Sequence, residues 1–144
     1  MKPTAMSAYF PVLSDVLTKT DDMGEQMSED FTTLKTAVDA DNVSDLGNEK
    51  LVAIRDNFQR GTDFYAENVN KLEQASVPVR ILGKHKQLVA AYRNYAEACQ
   101  AMVDAIDVQN LAVNATAFNE SEKTQEHMME KISNVAQKIM ATAM

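Results

Sequence analysis

The spacing of apolar residues along this 144-residue chain constrains its fold more than any other feature. Apolar or small residues recur at alternating intervals of four and three, which places them on one face of an α-helix. The first block with this spacing consists of Met6, Phe10, Leu13, Leu17, Thr20, Gly24, Met27, Phe31, Leu34 and Val38. Tyr9, Val16 and Met23 widen the apolar stripe, as is typical of a helix in a bundle.

Three further blocks with the same spacing follow, over 51–75, 81–106 and 111–139. Turn-forming residues at 39–45 and the proline at 78 separate the first three, because the residue before a proline is pushed out of helical geometry. The polar stretch 107–110 is a weaker boundary, since it has neither glycine nor proline. The pattern predicts helices over roughly 5–39, 44–75, 78–107 and 110–142, and Pro11 places the start of the first between Thr4 and Pro11.

Four helices of similar length leave little chain for connections, and four glycines and three prolines are few for long loops. Short connections favour antiparallel neighbours. We therefore predict an all-α fold, a single four-helix up-and-down antiparallel bundle that occupies 1–144 as one domain.

The formal net charge of −7 argues against nucleic-acid binding, which needs a surplus of lysine and arginine to displace counterions. No apolar run approaches the roughly 20 residues that cross a bilayer, so we expect no membrane association. The first residues lack the apolar segment of a secretory leader, which predicts a cytoplasmic location, although some small helical proteins are exported without a cleaved signal.

The residues that usually carry metal or covalent chemistry are scarce in this sequence. It has no Glu-x-x-His motif, and the inward stripes carry no carboxylate, so we expect no metal and no cofactor. The acidic residues within 21–30 point outward from one helix, which indicates a solvated face. Cys99, the only cysteine, falls on the core stripe without a histidine at its level, so we do not expect an enzyme.

The middle of the core has an unusual composition. If the turns lie near 42, 76 and 109, antiparallel pairing places four residues at one level: Gly24, Gly61, Tyr92 and Gln125. The adjoining level holds Met27, Phe58, Tyr95 and Ser121, and a level on the other side holds Leu17, Asn68, His85 and Ile132.

Glycine inside a helix costs about 1 kcal/mol relative to alanine, so two facing glycines need a reason. One interpretation is that they make room for Tyr92, whose hydroxyl would bond Gln125, while Asn68 pairs with His85 to fix the register. The other interpretation is a small cavity suited to a ligand.

Two hypotheses for function follow. The first is a non-enzymatic bundle acting as an interaction or scaffold module, which would bind a protein partner or itself along the third helix. The alternative is a carrier or sensor of a small ligand held in the central layer by Gly24, Gly61, Tyr92, Tyr95, Gln125, His85 and Asn68. An enzyme ranks third, because no carboxylate is positioned near these side chains.

Overall fold

The computed structural model of the protein describes residues 5–143 and contains four long α-helices. They are α1 (Ala5–Asp39), α2 (Asn48–Gln74), α3 (Leu82–Asp104) and α4 (Ala115–Ala143). The predicted all-α, antiparallel four-helix bundle is confirmed. Residues 1–4 and 144, which the predicted domain includes, lie outside the described residues. Within the described range no helix has an apolar stretch long enough to cross a bilayer.

The helix boundaries differ from the predicted ones where the connections contain short 3-10 helices. The helix predicted from 44 begins at Asn48, because Val43–Leu46 forms a 3-10 helix and Gly47 follows it at φ 83°, a conformation that favours glycine. The helix predicted from 78 begins at Leu82, after a second 3-10 helix at Val79–Ile81. The start of α1 at Ala5 agrees with the prediction.

The connection between α3 and α4 is a small β-hairpin, not the simple turn predicted at 107–110. β1 (Ile106–Asp107) pairs antiparallel with β2 (Ala112–Val113). The Asp107 carboxylate accepts hydrogen bonds from the side chain and backbone N–H of Asn110, which lower the pKa of Asp107. Leu111 has φ 50°, so no helix could continue through it. The two predicted helices that met here are therefore each shorter than expected.

The core consists of two buried clusters, one toward each end of the bundle. The cluster near the start of α1 includes Tyr9, Leu13, Tyr65, Leu88 and Tyr92. The cluster near the hairpin includes Leu34, Leu51, Phe58, Met102 and Phe118. Met27 packs against both clusters and so lies near the boundary between them.

Helix α4 lies close to α3 along what we call the α3–α4 seam. Ala91 and Ala98 of α3 and Ala105, the residue that follows the helix, are all buried and seven residues apart, so the two helical alanines share one face of α3. The Ser121 hydroxyl of α4 donates to the Ala98 carbonyl at 2.5 Å, which places that face against α4. Small side chains let two helix backbones approach closely. The α1 and α4 backbones, in contrast, do not run as close to each other as those of α3 and α4 do.

Candidate functional site

The space between α1 and α4, which we call the α1–α4 groove, contains a cavity of about 270 Å³. All four helices line it: Gly24, Met27, Ser28 and Phe31 of α1, Phe58 and Thr62 of α2, Tyr95, Cys99 and Met102 of α3, and Glu122, Gln125 and Glu126 of α4. Two further depressions continue from the cavity past Met129 and Ser133 of α4. An apolar cavity of about 150 Å³ already holds benzene, so this one has room for a larger organic molecule.

The groove is closed at its hairpin end and open at Gly24. Phe31 of α1 stacks on Phe118 of α4, with ring centroids 5.9 Å apart and planes 12° apart. Lys35 reaches across from α1 to Asn119 and Glu122, at 3.0 Å from each. At Gly24 an added Cβ would meet no atom within 4 Å. The missing side chain therefore leaves the wall of α1 empty where the cavity opens.

Gly61 makes room for the methionine that forms part of the cavity wall. It is buried on α2, and a Cβ there would overlap the Met27 sulfur and lie 3.5 Å from Cγ of Met23. The prediction that Gly61 faces the core is confirmed, but the prediction that it faces Tyr92 is wrong, because its nearest neighbours are Met27 and Met23. The glycine accommodates α1, because the nearest side chains come from that helix.

Three tyrosine rings lie at the inner end of the cavity. Tyr95 lines the cavity, and its ring centroid lies 5.1 Å from that of Tyr65 and 6.2 Å from that of Tyr92. The Tyr65 hydroxyl is fully buried and interacts with the Tyr95 hydroxyl without forming a well-aligned hydrogen bond. Burial raises the pKa of Tyr65 and Tyr95, and it raises the pKa of the Cys99 thiol to about 12. The phenols and the thiol at the inner end are therefore uncharged at neutral pH.

A chain of buried hydrogen bonds crosses the core beside these rings. Asn68 Nδ2 donates to the Tyr92 hydroxyl at 3.0 Å, and the Tyr92 hydroxyl lies 2.7 Å from Thr20 Oγ1. Thr20 in turn donates to the Val16 carbonyl, so Tyr92 is the donor to Thr20. The predicted bond between Tyr92 and Gln125 is wrong, because Tyr92 is already satisfied by α1 and α2.

Gln125 and His85 also have partners other than the predicted ones. Gln125 Nε2 donates to Ser121 Oγ at 3.0 Å and contacts the Met102 sulfur at 3.7 Å. His85 is buried and shares a 2.8 Å hydrogen bond with the Tyr9 hydroxyl, so the predicted Asn68–His85 pair is wrong. The 3-10 helix at Val79–Ile81 lengthens the connection between α2 and α3 and thereby changes which residues meet.

The seven residues predicted around a ligand do not form one site. Gly24, Tyr95 and Gln125 line the cavity, and Gly61 lies behind Met27. Tyr92 and Asn68 belong to the buried hydrogen-bond chain. His85 lies in a different layer, beside a surface depression with Glu73, Lys86 and Arg93.

Several residues that line the cavity were not predicted as site residues, and the sequence feature that indicates the cavity is the spacing of alanines in and after α3. Cys99 was predicted to be a core residue, and Met102 and Glu126 were not among the predicted ligand residues, yet all three line the cavity. The alanines at 91, 98 and 105 carried the relevant signal. A seven-residue repeat of small side chains predicts one close helix neighbour, and hence more room on the other side of that neighbour.

No cluster of three His, Cys, Asp or Glu side chains suited to a metal ion occurs within 5–143. Comparison with protein-family models, with curated proteins and with solved structures finds no match for this chain.

Proposed function

We propose that this protein is a non-enzymatic carrier or sensor that binds a small, largely apolar molecule in the α1–α4 groove. The observation that carries this proposal is the cavity of about 270 Å³ that opens beside Gly24. Its walls contain Met27, Phe31, Phe58 and Met102, and only a few polar groups converge on it. Cavities with that composition are typical of small-molecule sites.

The groups at the inner end of the cavity support binding without chemistry. A thiol whose pKa is raised to about 12 is a poor nucleophile at neutral pH, because the thiolate is the reactive form. His85, the one buried histidine among the described residues, is hydrogen-bonded to Tyr9 and does not line the cavity. Two carboxylates, Glu122 and Glu126, do line the cavity, contrary to the expectation from the sequence. Glu122 is paired with Lys35, and within the described residues neither carboxylate is hydrogen-bonded to Cys99 or Tyr95, as a general base for either group would be.

The scaffold hypothesis has less support from the described surface. The large apolar residues exposed there are Val79, Leu82 and Met140. Of these, only Leu82 belongs to α3, at its first residue. The outer face of α3 thus lacks the apolar stripe that an interaction module would bury against a partner.

A fluorescence titration tests the proposal. The neutral dye N-phenyl-1-naphthylamine becomes bright in an apolar site, and we expect saturable brightening with the native protein. Gly24→Leu adds a side chain at a lining position where a Cβ meets no atom within 4 Å, so it should fill part of the cavity and abolish or strongly weaken binding.

Gly83→Leu is the matched control. Gly83 is also a helical glycine with no atom near its Cβ position, but it does not line the groove. The Gly83→Leu variant should therefore bind the dye as the native protein does. The proposal fails if the native protein gives no saturable signal, or if both leucine variants bind the dye as the native protein does. Circular dichroism of each variant verifies that the bundle is intact.

A further inference from the structure

The α1–α4 groove is apolar inside and carries charge of only one sign. The charged residues that line the cavity and the two depressions that continue from it are all acidic: Asp21, Glu122, Glu126 and Glu130. No lysine or arginine lines any of these three regions among the described residues. A molecule that enters the groove therefore meets carboxylates at the mouth.

Other depressions on the same protein have mixed charge. One, beside α2, places Arg60 among Asp56, Asp63 and Glu67. Another contains Glu73, Lys86 and Arg93, and Arg93 forms a 2.5 Å ion pair with Glu73. The net charge of −7 does not make every depression purely acidic, so the absence of basic residues distinguishes the groove from these other depressions.

Most of the groove carboxylates have no cationic partner. Glu122 is paired with Lys35 at 3.0 Å, at the closed end. Glu126 lines both the cavity and the next depression, and neither it nor Asp21 or Glu130 forms an ion pair within the described part of the chain. A ligand could supply the missing positive charge.

The interior of the cavity suits the apolar body of the same ligand. Tyr95, Phe31 and Phe58 present aromatic side chains, and an aromatic face attracts a cation within about 6 Å of its centroid. An anion would have to give up hydration in an apolar cavity beside carboxylates, and both effects disfavour it. A second copy of this acidic chain is disfavoured for the same electrostatic reason.

From this arrangement we infer that the ligand is an organic cation, an amine or quaternary ammonium group attached to an apolar body. The inference rests on the proposed function. The apolar body occupies the cavity between Phe31, Phe58 and Met102, and the cationic group lies at the mouth beside Glu126.

A matched series of three compounds tests the inference by displacement of N-phenyl-1-naphthylamine. 4-Phenylbutylamine, 4-phenylbutanol and 4-phenylbutyrate share one apolar body and differ in charge. We expect the amine to bind about tenfold or more tighter than the carboxylate, with the alcohol between them, and added salt to narrow the difference.

Two variants locate the charge that selects the cation. Glu126→Gln should reduce the preference for the amine over the alcohol severalfold, because the ammonium group loses the carboxylate beside it. Glu120→Gln removes the same charge from an exposed position of α4 outside the groove, so it should keep the full preference.

The possible failures are distinguishable. If the dye binds but the three compounds displace it equally well, the cation inference is wrong and the proposed ligand site stands. A preference that Glu126→Gln and Glu120→Gln reduce equally also overturns the inference, because it then reflects overall charge. If neither the dye nor any of the compounds binds, the proposed function itself is wrong.

Discussion

Helix α4 has two neighbours in the bundle and meets them in different ways. Along the α3–α4 seam, alanines and Ser121 bring the backbones together, and a 2.5 Å hydrogen bond joins Ser121 to the Ala98 carbonyl. Along the α1–α4 groove, Phe31 stacks on Phe118 at the hairpin end, a cavity of about 270 Å³ lies beyond this contact, and buried side chains of both helices join the core cluster at the far end. Close packing on one side of a helix thus leaves space on the other.

The groove stays open because α1 is held by other helices. Its Tyr9 and Thr20 hydroxyls are hydrogen-bonded to His85 and Tyr92 of α3, across the centre of the bundle. Met27 fits against Gly61 of α2. To follow α4 and close the groove, α1 would have to break these buried hydrogen bonds, each of which contributes about 0.5–1.5 kcal/mol net and costs more when a buried partner is left unsatisfied.

The largest expected effect comes from Phe118, the α4 side chain that lies in the buried cluster near the hairpin and packs against α1. Phe118 is fully buried and stacks on Phe31. Phe118→Ala should cost about 3–5 kcal/mol of unfolding free energy, measured by urea denaturation, since it removes a large core side chain and leaves a cavity. Phe31→Ala should lower the unfolding free energy by less, because Phe31 is only partly buried. Equal costs at the two positions would show that Phe118 has no special place in the fold.

A smaller effect concerns the hydrogen bonds that hold α1 away from α4. Tyr92→Phe removes the hydroxyl that receives the Asn68 amide and donates to Thr20, and should cost about 1–2 kcal/mol in the same assay. The control is Gln125→Met, which should cost less because Gln125 is partly exposed and does not bond Tyr92. If Gln125→Met proved the more costly change, the buried chain described here would be wrong.

Replacement of the two interior glycines by alanine should change the stability of the protein by different amounts. A Cβ at position 24 would meet open space, so Gly24→Ala should stabilise the protein by up to about 1 kcal/mol through the higher helix propensity of alanine. Gly61→Ala gains the same propensity but must displace Met27, so its net effect should be smaller or destabilising. Thermal melts of the two variants give the comparison. A larger gain at Gly61 than at Gly24 would mean that Met27 does not pack against α2.

The smallest effect is a dependence on pH through His85. Burial lowers the pKa of His85 in the folded state, so the unfolded chain binds a proton more readily. Neutral His85 therefore contributes to the stability of the folded protein at a pH above about 6.5, the pKa of histidine in the unfolded chain. This contribution is lost as the pH falls through the lower pKa that His85 has in the folded protein. The melting temperature should therefore drop between about pH 7.5 and 5.5, and drop less in His85→Gln. Equal drops in both proteins would assign the dependence to other groups.

The sequence predicted the four helices because spacings of four and three residues depend only on local geometry. The prediction did not include the hairpin, since Ile106 and Val113 belong to strands too short to show an alternating pattern. The partners of Tyr92 and His85 were wrong because layers inferred from turn positions shift with the length of each connection. Gly24, Tyr95 and Gln125 were placed near a possible cavity, but its position between α1 and α4 depends on how closely α3 approaches α4.

The most direct test of the difference between the two sides of α4 is to add the same side chain to each. Ala98→Leu enlarges a buried alanine on the α3–α4 seam, whereas Gly24→Leu enlarges a glycine with no atom within 4 Å of its Cβ position in the groove. By urea denaturation, we expect Ala98→Leu to cost about 1–3 kcal/mol or more and Gly24→Leu to cost nothing or to stabilise. Equal destabilisation by both changes, or a loss confined to Gly24→Leu, would show that the α1–α4 groove is as closely packed as the seam.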